Sequence, residues 1–140
     1  MNKLTIGIIS ALALAGTMPA KAQFKLVNPV PQNIQSTGFT QLPQSVSIKT
    51  SNNRDNSFAV ATLKNGMKVE SNAKYTITLG IKGDKCVKAY AKHLPQKAEG
   101  YWLSISDKGA VIIGTDEEGL FYGVQTLLGS IAKGKLEKGT

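Results

Sequence analysis

The sequence predicts an α+β domain in which a small mixed β-sheet is covered on one face by helices. Two segments, Tyr75–Ile81 and Tyr101–Ile105, place apolar residues at alternate positions, which predicts strands with one buried face. A third segment, residues 115–131, carries apolar residues at helical spacing behind an acidic start, which predicts an amphipathic helix. The rest of the chain is interpreted around these three elements.

The first 22 residues have the features of a secretory signal peptide. Lys3 precedes a short apolar run from Leu4 to Gly16, and Ala20-Lys21-Ala22 supplies a cleavage site. The run is too short for a membrane span, and no cysteine that could carry a lipoprotein anchor directly follows it. No membrane anchor is therefore expected. We expect export to the periplasm or the cell exterior, and removal of 22 residues from 140 leaves 118, enough for one domain.

Residues 23–44 are rich in Pro, Asn and Gln and are interpreted as an extended lead-in. The α+β domain is expected over residues 45–134. Ser45–Thr50 predicts its first strand, with Val46 and Ile48 on one face, and Ser57–Met67 predicts a helix capped by Ser57. A second short helix is expected from Asp84 to Pro95.

The segment after Tyr101 predicts a β-hairpin and a long helix. Gly109 is expected to supply a positive φ in the turn, and Ala110–Gly114 to return antiparallel. Thr115 and Glu118 have the spacing of a capping box, in which each side chain bonds the other residue's amide. Gly134 is the expected helix stop, and residues 135–140 are interpreted as the start of a linker.

No residue is assigned to catalysis, to a cofactor or to a metal. Asp116, Glu117 and Glu118 cluster at a helix start, where acids are expected for structural reasons. His93 is the chain's one histidine and has no companions at metal-ligand spacing. Cys86 has no adjacent base, so a structural thiol is the preferred interpretation. Because Cys86 is the one cysteine of the chain, an internal disulfide is excluded.

The charge argues against nucleic acid as a partner. Without Lys3 and Lys21 the formal net charge falls from +8 to +6, and Arg54 is the single arginine. The lysines are spread singly along the sequence, which is typical of a solvated surface. The aromatic residues Tyr101, Trp102, Phe121 and Tyr122 allow sugar stacking, but we favour a core or an interface with another domain for them.

The chain resembles a known family in its last third. G-Y-W-L-S-I-S at 100–106 and A-V-I-I-G-T-D-E-E-G-L-F-Y-G-V-Q-T-L-L at 110–128 resemble the end of the domain that precedes the catalytic barrel in β-N-acetylhexosaminidases of glycoside hydrolase families 20 and 84. N-P-V-P-Q-N-I at 28–34 resembles the opening of such domains. The family signature comprises Gly119, Leu120, Phe121, Tyr122, Gly123, Gln125, Thr126 and Leu127.

The resemblance implies an accessory role beside a barrel that this chain does not contain. Enzymes of the family remove terminal N-acetylhexosamine, with the substrate's own acetamido group as the nucleophile. The acids that assist lie on the barrel, and no position here matches them. The expected partner is therefore the barrel of a parent enzyme, docked on an apolar patch, and this chain alone is expected to be inactive. An autonomous carbohydrate-binding module that contacts N-acetylated glycans is the alternative.

Overall fold

The computed structural model describes residues 33–51 and 57–140. The expected signal peptide, residues 1–22, and the family-like opening through Gln32 lie outside the described residues. The strands are β1 Ser36–Gln41, β2 Val46–Lys49, β3 Tyr75–Ile81, β4 Tyr101–Ile105, β5 Gly109–Gly114, β6 Ile131–Ala132 and β7 Lys135–Gly139. The helices are α1 Phe58–Gly66 and α2 Glu117–Gly129, and Lys85–His93 forms a 3₁₀ helix.

Within the described residues the strands form a seven-stranded mixed sheet in the order β1-β7-β4-β5-β3-β2, with β6 added beside β7. The pairs β2–β3 and β3–β5 are parallel, whereas β4–β5, β1–β7 and β6–β7 are antiparallel. The Tyr75 hydroxyl on β3 donates to the Ser106 carbonyl in the β4–β5 turn (2.9 Å). Burial, with a smaller contribution from Asp107, raises the pKa of Tyr75 to about 12. The predicted α+β class with a small mixed sheet is confirmed.

Helices α1 and α2 cover one face of the sheet, as predicted. The Ser57 hydroxyl accepts the Val60 amide (3.3 Å), so the predicted cap of α1 is confirmed. The apolar residues of both helices and of the facing strands form one core. Its fully buried members include Val46, Leu63, Ile77, Leu79, Ile112, Leu120, Val124 and Leu127.

The 3₁₀ helix lies against the opposite face, which corrects the expectation that all helices share one side. Strand pairing aligns Gly80, Ile113 and Trp102 in a row across β3, β5 and β4. A Cβ on Gly80 would lie 3.1 Å from Val87 of the 3₁₀ helix. The absent side chain therefore leaves room for Val87, which is completely buried.

The two segments expected to flank the domain both supply strands. Part of the expected lead-in, Ser36–Gln41, is β1, and most of the expected linker is β7. Helix α2 ends at Gly129 rather than at Gly134, and Ser130 caps it. Gly134 instead lies with Lys133 in the tight turn between β6 and β7, where both residues have positive φ (52° and 74°) as a type I′ turn requires.

Gly109 serves a different purpose from the predicted one. Its φ is not positive; the positive-φ glycines of the described chain are Gly38, Gly83, Gly134 and Gly139. A Cβ on Gly109 would lie 2.6 Å from the Thr76 carbonyl oxygen on β3. Gly109 is therefore required by the close approach of two parallel strands rather than by the turn.

Candidate docking surface

Helix α2 begins at a cap that differs from the predicted one. Asp116 Oδ1 accepts the Gly119 amide (2.8 Å), and Asp116 Oδ2 accepts the Glu99 amide (2.9 Å). Thr115, the predicted cap, binds the preceding loop instead: its hydroxyl accepts the Gly100 amide (3.0 Å) and donates to the Lys97 carbonyl (2.9 Å). Glu118, the predicted partner of Thr115, is exposed.

The first signature glycine permits a close backbone contact at the start of α2. A Cβ on Gly119 would overlap the carbonyl oxygen of Gly100. The same carbonyl accepts the Thr115 amide (2.9 Å), so it is held in place. One turn later, a Cβ on Gly123 would lie 2.5 Å from Ile112 Cγ2 on β5. Both glycines therefore let α2 lie directly on the sheet and on the loop before β4.

The remaining signature residues divide between two sides of α2. Leu120, Thr126 and Leu127 are buried. The Thr126 hydroxyl is hydrogen-bonded to the Tyr101 hydroxyl on β4 (2.6 Å). Burial raises the pKa of Tyr101, and the bond from Thr126 opposes this effect. Phe121, Tyr122 and Gln125 are half-buried, and Phe121 packs against the core.

An aromatic patch is formed by Phe58 of α1 and by Phe121 and Tyr122 of α2; Phe58 is exposed, and the other two are half-buried. The ring centroids of Phe58 and Phe121 are 5.1 Å apart, and those of Phe121 and Tyr122 are 5.9 Å apart. Phe58 is 72% exposed. Phe58 was not predicted to be a surface residue of interest, although a helical projection puts it opposite Val60 and the buried stripe.

Helix α2 is uncharged along nearly its whole length. No Asp, Glu, Lys, Arg or His occurs from Gly119 to Ala132. The helix is therefore apolar or neutral on its outer side as well as on its buried side. A helix of that composition is typical of one that contacts protein on both sides.

The candidate catalytic groups are not brought together. His93 stacks on Trp102 with ring centroids 4.4 Å apart, and Cys86 Sγ lies 3.6 Å from Ser51 Oγ. Asp116 is occupied by its two amide contacts. Within residues 33–51 and 57–140, no three His, Cys, Asp or Glu side chains form a metal-binding group. In the same residues no helix has the length and hydropathy to cross a membrane.

The aromatic residues considered for sugar stacking are partly engaged within the chain. Trp102 stacks with both Tyr90 and His93, at centroid distances of 5.7 and 4.4 Å. Tyr101 is bonded to α2 through Thr126. The other two belong to the aromatic patch, which lies on the opposite side of the sheet from Trp102.

Comparison with known proteins agrees with this architecture. The family model described as glycosyl hydrolase family 20, domain 2, matches residues 26–140. The solved protein CpGH84B is 26% identical with a TM-score of 0.64, over 80% of this chain and 21% of that chain. Two further matches, below 25% identity, show the fold alone.

The first of these is the GH20 β-N-acetylhexosaminidase from Streptomyces coelicolor A3(2), at 21% identity and TM-score 0.53, over 87% of this chain and 26% of that one. The second is a GH20 exo-β-N-acetylglucosaminidase, an inactive mutant, from Vibrio harveyi, at 17% identity and TM-score 0.56, over 98% of this chain and 22% of that one. The chain thus spans between 21% and 26% of the length of these solved proteins.

Proposed function

The chain belongs to the family glycosyl hydrolase family 20, domain 2, and from this premise we propose that it is a non-catalytic accessory domain of a larger, exported glycoside hydrolase. The observation that carries the proposal is the family match over residues 26–140, together with solved matches of which the chain covers about a quarter or less. Two of those solved proteins are named as a β-N-acetylhexosaminidase and an exo-β-N-acetylglucosaminidase. The parent would accordingly remove terminal N-acetylhexosamine.

The accessory role is supported by what the described residues lack and by what they expose. Their carboxylates, histidine and thiol do not meet in one site, whereas the outer side of α2 carries an aromatic patch and, after Glu118, no charge. The proposed occupant of this surface is the catalytic barrel of the parent enzyme. We also propose that residues 1–22 direct export of the parent enzyme to the periplasm or the cell exterior.

The docking proposal is tested in an enzyme that carries this domain and its barrel in one chain. Phe58→Lys places a charge in the aromatic patch, and because Phe58 is 72% exposed the domain itself should keep its fold. We expect a lower melting temperature and faster thermal loss of N-acetylglucosaminidase activity in the whole enzyme. Phe39→Lys is the matched control, because Phe39 is the other exposed large apolar residue of the described chain, at 40%, and lies on β1.

Equal effects of the two substitutions, or no effect of either, would argue against docking through this patch. The non-catalytic role is tested separately by incubating the isolated chain with a chromogenic N-acetylglucosaminide. We expect no turnover above the buffer rate. Turnover that survives repurification would overturn the accessory assignment.

A further inference from the structure

The 3₁₀ helix and its flanking turns carry a second surface, chemically unlike the aromatic patch. We define the basic surface as Lys82, Lys85, Lys88, Lys92 and Lys97, all of which are exposed. At about 2 Å rise per residue, the three lysines of the helix itself lie within about 14 Å along its axis. Five lysines therefore lie within residues 82–97, three of them on the helix and two in its flanking turns.

The charge of the basic surface is not neutralised within the described chain. The ion pairs of the described chain join Lys68 to Glu70 and Lys138 to Asp107. None of the five lysines of the basic surface takes part in an ion pair within the described residues. Asp84 is the one acidic residue between Lys82 and Lys97, and its carboxylate accepts the Ile81 amide (3.0 Å). Five like charges on one segment raise the local concentration of anionic partners.

The helix is fixed to the sheet in the orientation that keeps the lysines outward. Val87, Tyr90 and His93 recur every three residues and therefore share one side of a 3₁₀ helix. Val87 is fully buried over Gly80, and the rings of Tyr90 and His93 stack on Trp102. The lysines consequently occupy the remaining sides, on the face of the sheet opposite α1 and α2.

We infer that the basic surface binds an acidic polysaccharide, with lysine ammonium groups contacting its sulfate or carboxylate groups. A membrane surface is disfavoured because the exposed large apolar residues of the described chain, Phe39 and Phe58, lie on other elements. Nucleic acid is disfavoured because the surface contains no arginine. The choice of a polysaccharide rests in part on the proposed function, whereas the surface itself does not.

The experiment measures binding of the chain to dextran sulfate, with neutral dextran as the uncharged control. The test variant is Lys85→Gln/Lys88→Gln/Lys92→Gln. The matched variant is Lys64→Gln/Lys74→Gln/Lys108→Gln, which removes the same charge from exposed lysines elsewhere. We expect saturable binding to dextran sulfate alone, a tenfold or greater loss for the test variant, and a loss below threefold for the matched variant.

The salt dependence provides a second readout, because the slope of log K against log salt concentration counts the ionic contacts made. This slope should fall in the test variant and stay unchanged in the matched one. Equal losses in both variants would reduce the effect to net charge and overturn the inference. Tighter binding to phosphatidylglycerol vesicles or to an oligonucleotide would also overturn it. None of these measurements uses glycosidase activity, so the accessory role and this inference fail independently.

Discussion

The contact between the start of α2 and the loop before β4 gives a quantitative prediction for Gly119→Ala. Alanine is favoured over glycine in a helix by about 1 kcal/mol, so propensity alone predicts stabilisation. The new Cβ, however, would overlap the Gly100 carbonyl oxygen, which belongs to the backbone and cannot rotate away. The loop must therefore move.

Movement of the loop would cost the hydrogen bond that Gly100 O accepts from the Thr115 amide (2.9 Å). At about 1 kcal/mol for this bond and about 1–3 kcal/mol for overpacking, less the propensity gain, Gly119→Ala should lower the free energy of unfolding by about 1–3 kcal/mol. The measurement is urea denaturation followed by far-UV circular dichroism.

Gly66→Ala is the matched control, because it also replaces a helical glycine near a close neighbour. Its Cβ would lie 2.6 Å from Leu128 Cδ2, the far end of a half-buried side chain that can change rotamer. We expect a change within about 1 kcal/mol for this variant. A Gly119→Ala protein as stable as the unmodified chain would refute the close contact of α2 with Gly100.

Two further predictions concern acidic residues. Asp116→Ala removes an N-cap and the Glu99 contact and should destabilise the fold by about 1–3 kcal/mol in the same denaturation assay. Glu118→Ala should change the free energy of unfolding by less than about 0.5 kcal/mol. A larger effect of Glu118→Ala than of Asp116→Ala would support the capping box predicted from sequence instead. Glu137 is fully buried, neither of its carboxylate oxygens has a hydrogen-bond partner within the described residues, and burial raises the pKa of Glu137 above the ordinary 4.5. Because the charged form is penalised in the folded state, Glu137→Gln should stabilise the fold by about 1–3 kcal/mol at neutral pH. This gain should shrink as the pH falls through the raised pKa and vanish below the ordinary value; a gain that is independent of pH would contradict the buried charge.

The elements that were predictable from sequence are those whose patterns are local. β3, β4 and α1 carry apolar residues at their own period, and each forms where it was expected. β1 and β7 were not predicted, because Ser36–Gln41 is mostly polar and Lys135–Gly139 is mostly charged. Their strand structure comes from pairing with each other across the whole chain, and no local window contains that information.

The candidate surfaces were predictable to a similar extent. The N-cap of α2 was predicted one residue too early, because Thr115 and Asp116 are both good capping residues. The sequence does not show that the Thr115 hydroxyl is hydrogen-bonded to the loop at Lys97–Gly100 instead. The signature segment was predicted to be a docking element, which stays a prediction, and its glycines are explained by close contacts with the sheet and with the loop before β4. The basic surface was not predicted, because its five lysines, although they lie within residues 82–97, were interpreted as part of a solvated surface.

The pairing of β1 with β7 has a consequence for how the domain folds. Ser36 pairs with Gly139, and the backbone groups of Gln35 and Thr140 exchange two hydrogen bonds of 2.9 Å. During synthesis, β2, β3, β4 and β5 emerge long before β7. β1 therefore stays unpaired while the strands of the central sheet can already pair with one another. Contacts of such high sequence separation slow folding toward the millisecond-to-second range. A polar β1 with few apolar side chains is well suited to that delay, since it offers little surface for premature association.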